Sequence, residues 1–251
     1  MNKSLSVLVL AYNEEKTIVR CVDEVIYACR DLPDGYEVII VNDASTDRTL
    51  ELAQELVAKY PAVRLISNVV NRGYGGAFKT GLAEAKKSYL TVVGAVNAIN
   101  RESLREIYAR VGEKDMILSY IANPEVRSWQ RRIISYLYTK CIDLLSGYRL
   151  KYYNSGCNIF PTHKVQEVEF TDGHSFFAEI LLTFLDEGLS YIMIPMVLNR
   201  REVEHSSALR WKNIVAVSYT FWGIFLTQRL KIRGVKTHQV KIDELKGVEI
   251  K

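Results

Sequence analysis

The chain has 251 residues, of which 48% are hydrophobic and 25% are charged. These proportions are ordinary for a globular protein with a full core, and the length fits one large domain or one domain with an appendage. A formal net charge of only +4 gives no indication of nucleic-acid binding.

The four cysteines are Cys21, Cys29, Cys141 and Cys157, and none of them stands in a Cys-x-x-Cys spacing. We expect reduced, mostly buried thiols rather than metal ligands, which agrees with a cytoplasmic protein. The first residues lead into an apolar run that is too short for the core of a secretory signal.

The first half of the chain alternates short apolar runs with stretches of helical apolar spacing. The runs predict strands, and the stretches between them predict helices. Such alternation indicates a parallel sheet with right-handed crossovers. The predicted strands cover residues 5–10, 38–41, 62–67, 89–93 and 115–119, and the predicted helices 18–29, 50–57, 77–85 and 102–111.

The run Val38–Val41 is followed by Asn42, Asp43 and a small polar turn. An all-apolar run of this kind predicts a strand buried on both faces, which places Asp43 at its carboxyl end. Ligands of open α/β sheets bind beyond those ends, so Asp43 is a candidate for a contact with a base or a ribose. A helix-capping aspartate in a loop is an equally good interpretation.

The second half is less regular. Apolar spacing predicts a long helix over 129–145, a second over 176–185 that ends at Gly188, and a strand over 191–194. A polar loop over 200–207 precedes a strongly apolar helix predicted for 211–230, which a basic tail follows.

Several of these stretches resemble family 2 glycosyltransferases of the GT-A fold, most of all the dolichyl-phosphate mannosyltransferase-like branch and its bacterial polyprenyl-phosphate relatives. They occur in the family's order over about residues 4–215. The resemblance implies an α/β fold with a mostly parallel, Rossmann-like central sheet, helices on both faces and a C-terminal apolar helix. The matching stretches are Leu10–Glu15, Val41–Thr49, Asn71–Ala77 with Gly81, Asn154–Gly156, Phe177–Glu179, and Arg201 with Ser206–Leu209.

The resemblance also implies how the chain is divided. Residues 1–210 would form the GT-A domain, with a nucleotide-binding half over 1–120 and an acceptor-side half over 121–210. Residues 211–251 would hold the apolar helix and the basic tail. The apolar run 214–226 is too short to span a membrane, so we expect at most peripheral contact with the inner face of a membrane. Packing on its own domain or in a dimer is an equal alternative, which leaves a homo-oligomer open.

Residue roles carried over from the family are as follows. Arg201 would reach the diphosphate, Arg131 or Arg132 the acceptor phosphate, and Glu179 would border the acceptor. Each of these assignments has a structural alternative. The two arginines could belong to a solvated helix face, and Glu179 could be an acid on a helix surface. The glycines at 73, 75 and 76 could form a plain turn at the entry to a helix. The residues implied to bind the nucleotide are Leu10, Ala11, Tyr12, Glu14, Val41, Asp43, Gly75, Gly94, Ala95 and Val96.

The chain departs from the family after the fourth strand. Relatives carry Asp-x-Asp or Gly-Asp-Asn-Glu there, and these acids hold Mg²⁺ or Mn²⁺ beside the sugar diphosphate. Here Val96 and Ala98 stand at the acidic positions, and Asn97 is the only side-chain oxygen left. We therefore assign no metal ligand, but Mg²⁺ or Mn²⁺ stays open as a cofactor. Tyr152, Ser207, Glu204 and His205 are further mismatches to the family pattern.

Three explanations follow from this departure. The protein has lost catalysis and binds a nucleotide or a protein partner; or it transfers sugar without the metal, through Arg201, Arg72 and backbone N–H groups; or the two acids were changed recently. We favour active transfer, with inversion, from a nucleotide-diphospho-sugar to a lipid phosphate or another acceptor. A lipid phosphate needs no general base, whereas a hydroxyl acceptor would need Asp172 or Glu179. A dinucleotide-binding oxidoreductase is disfavoured because no Gly-x-Gly-x-x-Gly follows the first strand.

Overall fold

A computed structural model describes residues 2–173 and 176–199. Its central sheet holds four parallel strands in the order β3-β2-β1-β4. Each predicted strand is found within two residues of its predicted ends. The strands are β1 (Leu5–Ala11), β2 (Tyr36–Asn42), β3 (Val63–Ser67) and β4 (Tyr89–Gly94).

Helices cover both faces of this sheet because the strands are apolar on both sides. In β1, Val7 and Val9 pack with α1, α2 and α4, whereas Leu8 and Leu10 pack with the opposite layer. The helices of the first half are α1 (Ile18–Cys29), α2 (Thr49–Lys59), α3 (Gly73–Glu84) and α4 (Arg101–Ala109). The predicted doubly covered parallel sheet is thus confirmed.

The fifth strand does not join the central sheet, contrary to the simplest extension of the alternating pattern. Strand β5 (Met116–Ile121) instead pairs in parallel with β7 (Tyr191–Met196) as a separate two-stranded sheet. The place beside β4 is taken by the short antiparallel strand β6 (Phe160–Pro161). An antiparallel bridge between Ile117 and Ile159 connects the two sheets.

The second half of the described chain supplies three further α-helices. Helix α5 (Trp129–Ser146) ends at Gly147, whose φ of 81° is the left-handed conformation that glycine adopts readily. Helix α6 (Thr162–Glu167) was not expected from the sequence, and α7 (Phe176–Asp186) lies where it was predicted. None of the helices in the described part could span a membrane. All four cysteines are free thiols; Cys141 is exposed and the other three are buried.

Residues 200–251 lie outside the described part of the chain. The predicted apolar helix at 211–230, the apolar run 214–226 and the basic tail therefore stay predictions. Arg201, Glu204, His205 and Ser207 belong to the same segment.

Candidate active site

The exits of β1, β2 and β4 lie side by side at the carboxyl edge of the sheet. The amide of Asp43 donates to the carbonyl of Ala11 at 2.8 Å, and the amide of Ala95 donates to the carbonyl of Leu10 at 2.9 Å. Two of the stretches that carry the family resemblance thus meet the β4 exit loop, at which the chain departs from the family. This is the edge at which open α/β sheets bind ligands.

The Asp43 carboxylate fixes the loop that enters α3. It is only 3% exposed. Its Oδ1 accepts from Asn68 Nδ2 at 2.7 Å and from the Arg72 amide at 2.9 Å, and its Oδ2 accepts from the Gly73 amide at 2.9 Å. Asp43 thus caps α3, a helix 30 residues further along the chain, rather than the helix that follows its own strand.

The loops after β1 and β2 are joined by a second set of hydrogen bonds. Asn13 has a φ of 56°, and its side-chain oxygen accepts from the Thr46 amide at 2.8 Å. The Glu14 amide donates to Thr49 Oγ1 at 2.8 Å, and the Glu15 amide donates to Asp47 Oδ2 at 3.2 Å. The two loops therefore form one wall of the crevice.

The residues implied to bind the nucleotide differ in what they can offer. Tyr12 is 49% exposed, and Glu14, Gly94 and Val96 are partly exposed. The side chains of four others are buried in the core, so only their backbone could reach a ligand. These four are Leu10, Ala11, Val41 and Ala95.

The loop after β4 contains Asn97 where relatives place the middle of their acidic motif. Asn97 has a φ of 56°, which Asn tolerates better than most residues, and it is 3% exposed. Its Nδ2 is buried and has no hydrogen-bond partner among the described residues. The loop has no carboxylate, and a single neutral amide oxygen is a poor site for Mg²⁺ or Mn²⁺, whereas the buried Nδ2 donor suits an anion. Within the described residues no group of three or more His, Cys, Asp or Glu could hold a metal ion.

Gly75 is required by packing inside the protein. A Cβ on Gly75 would stand 2.4 Å from the carbonyl oxygen of Asp172. The Asp172 carboxylate also forms an ion pair with Lys79 of α3 at 2.6 Å. The glycine thus lets the loop before α7 lie directly on α3.

We expect Gly75→Ala to destabilise the protein by about 1–3 kcal/mol, because backbone atoms must move to admit the methyl group. Gly173→Ala, in the loop that packs on α3, is the control, since its Cβ would meet only Thr171 Oγ1 at 3.5 Å. Chemical denaturation of both variants measures the difference. Equal stability of the two variants would contradict the packing role of Gly75.

Three stretches far apart in sequence converge on the α3 side of the crevice. The ring of Tyr74 lies 6.1 Å from that of Phe177, and its Oη lies 3.1 Å from where a Cβ on Gly156 would stand. Glu179 is bound within this region: its Oε1 accepts from Thr171 Oγ1 at 2.6 Å and its Oε2 from the Thr171 amide at 2.9 Å. Asp172 and Glu179 are thus both engaged by protein groups.

Two arginines lie together before and within the first turn of α5. Arg131 is partly buried, and burial together with the nearby Arg127 guanidinium lowers the pKa of Arg131. Arg127 donates to Tyr152 Oη at 3.3 Å, while its Nε is buried without a partner among the described residues. None of the ion pairs found in the described residues involves either guanidinium, an arrangement suited to an anionic ligand.

The end of the described chain returns to the β4 exit loop. The Asn199 amide donates to the Ala98 carbonyl at 2.8 Å, and Asn199 Nδ2 donates to the carbonyls of Asn97 at 3.0 Å and Ile99 at 3.3 Å. Arg201 follows two residues later in the sequence, outside the described residues.

The sequence analysis did not identify three residues of this region: Asn68, Lys79 and Arg127. Asn68 had a usable signal, because it directly follows β3 and strand exits share one edge of a parallel sheet. No sequence pattern pointed to Arg127, because its position beside Arg131 and Tyr152 depends on how the loop before α5 folds.

The fold and the strand-exit crevice define the class of protein: this is a GT-A fold. Glucosyl-3-phosphoglycerate synthase of M. tuberculosis is similar in structure, with a TM-score of 0.65 at 18% identity over 90% of this chain and 80% of that one. A crystal structure of that synthase contains Mn²⁺ and UDP-glucose. S. aureus TarS, solved with UDP-GlcNAc, has a TM-score of 0.62 at 22% identity and covers 90% of this chain and 67% of its own.

The chain belongs to glycosyl transferase family 2, whose family model matches residues 6–169. The matched range contains the three strand exits and the α5 arginines.

Curated relatives include transferases named for dolichyl phosphate or undecaprenyl phosphate. A dolichyl-phosphate beta-glucosyltransferase of Dictyostelium discoideum is 26% identical over 232 residues, covering 82% of this chain and 68% of its own. The human enzyme of that name is 38% identical over 103 residues, covering 38% of this chain and 32% of its own. An undecaprenyl-phosphate 4-deoxy-4-formamido-L-arabinose transferase of Aeromonas hydrophila is 27% identical over 182 residues, covering 71% of this chain and 55% of its own.

Proposed function

We propose that this protein transfers a sugar from a nucleotide-diphospho-sugar to a polyprenyl phosphate, with inversion at the anomeric carbon. The observation that carries the proposal is the convergence of the β1, β2 and β4 exits inside the range matched to the family. Relatives whose names specify dolichyl or undecaprenyl phosphate support the acceptor class.

The donor would lie across the strand exits. Asp43 is a buried carboxylate that holds the loop entering α3, and it is our first candidate for a contact with the base or ribose. Tyr12, half exposed in the loop after β1, offers an aromatic ring and a hydroxyl beside it. Glu14 borders the same loop and is partly exposed.

The leaving diphosphate would be stabilised without a metal ion. The β4 exit loop offers no carboxylate, but it offers the amide N–H of Asn97, which has no partner among the described residues. Arg201, which the family resemblance assigns to the diphosphate, follows Asn199 by two residues in the sequence. A fixed amide donor and a guanidinium both neutralise developing negative charge on the leaving oxygen.

The acceptor phosphate would meet Arg131, with Arg127 beside it. Its oxygen is already anionic, so it can attack the anomeric carbon directly while the bond from that carbon to the diphosphate breaks. No general base is needed. This agrees with Asp172 being paired with Lys79 and Glu179 being bonded to Thr171.

A second candidate function is a non-catalytic GT-A domain that binds a nucleotide or a protein. One observation favours it: Val96 and Ala98 stand where family members carry metal-binding acids. The fold and the Asp43 network would be kept under either function. A turnover assay distinguishes these two functions, whereas a nucleotide-binding assay does not.

The test is a turnover assay with the full chain, a panel of UDP- and GDP-sugars and a short, water-soluble polyprenyl phosphate, with and without Mn²⁺. We expect release of nucleoside diphosphate together with a glycosyl-phosphate product, identified by mass, without added metal. Arg131→Gln should raise the KM for the acceptor at least about tenfold, whereas Arg110→Gln, at an exposed ion pair just after α4, should not. Nucleotide binding without product for any donor would favour the non-catalytic function.

A further inference from the structure

A cleft of about 650 Å³ lies at the amino edge of the central sheet, opposite the candidate active site. Tyr89, the first residue of β4, lines this cleft, whereas the donor crevice lies beyond Gly94 at the other end of the strand. Six residues of β-strand span about 20 Å, so the two sites are separate. We call it the amino-edge cleft, and the lining residues that matter below are Lys86, Lys87, Asp115, Thr162 and Lys164.

The turn before β4 brings two lysines to the cleft on a fixed backbone. The Lys86 amide donates to Glu37 Oε1 at 2.7 Å, and the Lys87 amide donates to Ser6 Oγ at 3.1 Å. Glu37 and Ser6 are both buried. The turn is therefore held to the core through its main chain, and these bonds do not use the two ammonium groups.

The lysines of the cleft differ in whether their charge is already paired. Lys164 forms an ion pair with Glu187 at 2.7 Å. None of the ion pairs among residues 2–173 and 176–199 includes Lys86 or Lys87. Two ammonium groups of the cleft are thus available to an anion.

Asp115 is the acid of the lining, and protein donors already hold it. Its Oδ2 accepts from the Ser190 amide at 2.8 Å and from Ser190 Oγ at 2.6 Å. One carboxylate with two donors faces two unpaired ammonium groups and the paired Lys164. The charge of the cleft is therefore positive, and a cleft lined mainly by one sign of charge concentrates ions of the other sign.

A buried hydroxyl beside the lysines also points to a ligand. Thr162 is 4% exposed, and its Oγ1 has no hydrogen-bond partner in the described part of the chain. The Thr162 amide donates to the carbonyl of Ser88 at 2.9 Å, which places Thr162 next to the turn that carries Lys86 and Lys87. A buried hydroxyl is costly unless a partner satisfies it, and a bound anion would accept its proton.

We propose that the amino-edge cleft binds a small ligand that carries a phosphate group, which Lys86, Lys87 and Thr162 Oγ1 would hold. Lysine is a common phosphate-binding residue, and the hydroxyl adds a directed donor. The volume lies in the range of small-molecule sites and exceeds what a phosphate ion alone would fill. The lining is mostly polar, which suits a hydrophilic ligand. This inference goes beyond the proposed function and does not rest on it.

Lysine footprinting of the full chain tests the site directly. The protein is acetylated briefly at constant ionic strength, with and without inorganic phosphate or glucose 6-phosphate, and mass spectrometry measures each lysine. About 1 mM ligand should slow the acetylation of Lys86 and Lys87 at least about threefold. Lys59, an exposed lysine on α2, should react at an unchanged rate, as should all lysines when glucose is added. The more protective of the two phosphates shows whether the ligand is free phosphate or a sugar phosphate.

Thr162→Val tests the hydroxyl with the two lysines still in place as reporters. It should raise the ligand concentration needed for half-protection at least about threefold, while thermal stability stays the same or rises because no described hydrogen bond is lost. Thr91→Val is the matched control, since Thr91 is also buried but does not line the cleft. Arg131→Gln should leave the protection unchanged, which excludes phosphate bound at the acceptor site as its cause.

The inference is overturned if neither phosphate slows the acetylation of Lys86 and Lys87, if Lys59 is slowed equally, or if Thr162→Val and Thr91→Val show the same protection. Failure of the proposed function is distinguishable from these outcomes, because the turnover assay reports on the opposite edge of the sheet. Protection of the lysines without sugar transfer would retain the cleft and remove the reaction. Sugar transfer without protection would retain the reaction and remove the cleft.

Discussion

Asp43→Ala is expected to lower the affinity for the donor nucleotide by at least about a hundredfold. The carboxylate is buried and holds the loop that enters α3 through Asn68 and the amides of Arg72 and Gly73. Removing it takes away the candidate contact with the base and releases that loop. The same change should cost about 2–4 kcal/mol of folding stability, since three donors lose a charged acceptor. Calorimetric titration and thermal unfolding measure the two effects.

A matched variant separates the loss of the ligand contact from the loss of the loop. Asn68→Ala removes one donor at 2.7 Å and leaves the carboxylate in place. It should lower stability by about 1 kcal/mol and weaken nucleotide binding by no more than about tenfold. Equal loss of binding in both variants would mean that Asp43 acts only by ordering the loop. Unchanged binding in Asp43→Ala would remove it from the site.

The second large effect concerns the β4 exit loop. Val96→Asp combined with Ala98→Glu should make donor binding and turnover depend on Mn²⁺, because two carboxylates can hold the cation beside the diphosphate. Both positions are partly exposed, so the acids can be accommodated. Without metal, the added negative charge should weaken donor binding at least about tenfold. With Mn²⁺, binding should recover to at least the original affinity.

The control for this variant is Val96→Asn with Ala98→Gln, which introduces similar shapes without charge. It should show no response to Mn²⁺. Metal-dependent turnover that appears only in the acidic variant, with none in the original chain, would favour a catalytically disabled protein. No effect of Mn²⁺ on the acidic variant would mean that this loop does not face the diphosphate.

Local patterns were sufficient to predict most of the fold. Apolar runs and helical spacing located β1 to β4 and their helices, because both faces of the sheet are covered and each run is therefore nearly all apolar. They also located β5, but not its partner. Whether β5 joined β4 or β7 depended on which strand filled the edge of β4, and the two-residue strand Phe160–Pro161 gives almost no signal of its own.

The candidate site was predictable only in part. The position of Asp43 followed from the end of a buried strand, but its partners Asn68 and Asn71 lie 25 and 28 residues away and depend on the sheet order. The packing requirement at Gly75 comes from Asp172, almost a hundred residues later.

The most direct test of the proposed donor site is calorimetric titration of the purified protein with UDP, GDP and their sugar conjugates, each with and without Mn²⁺. We predict that one nucleotide series binds, that its binding needs no metal, and that the Asp43→Ala variant no longer binds that nucleotide. Absence of binding for every nucleotide under both conditions would contradict the donor site and leave a family 2 fold that serves another partner.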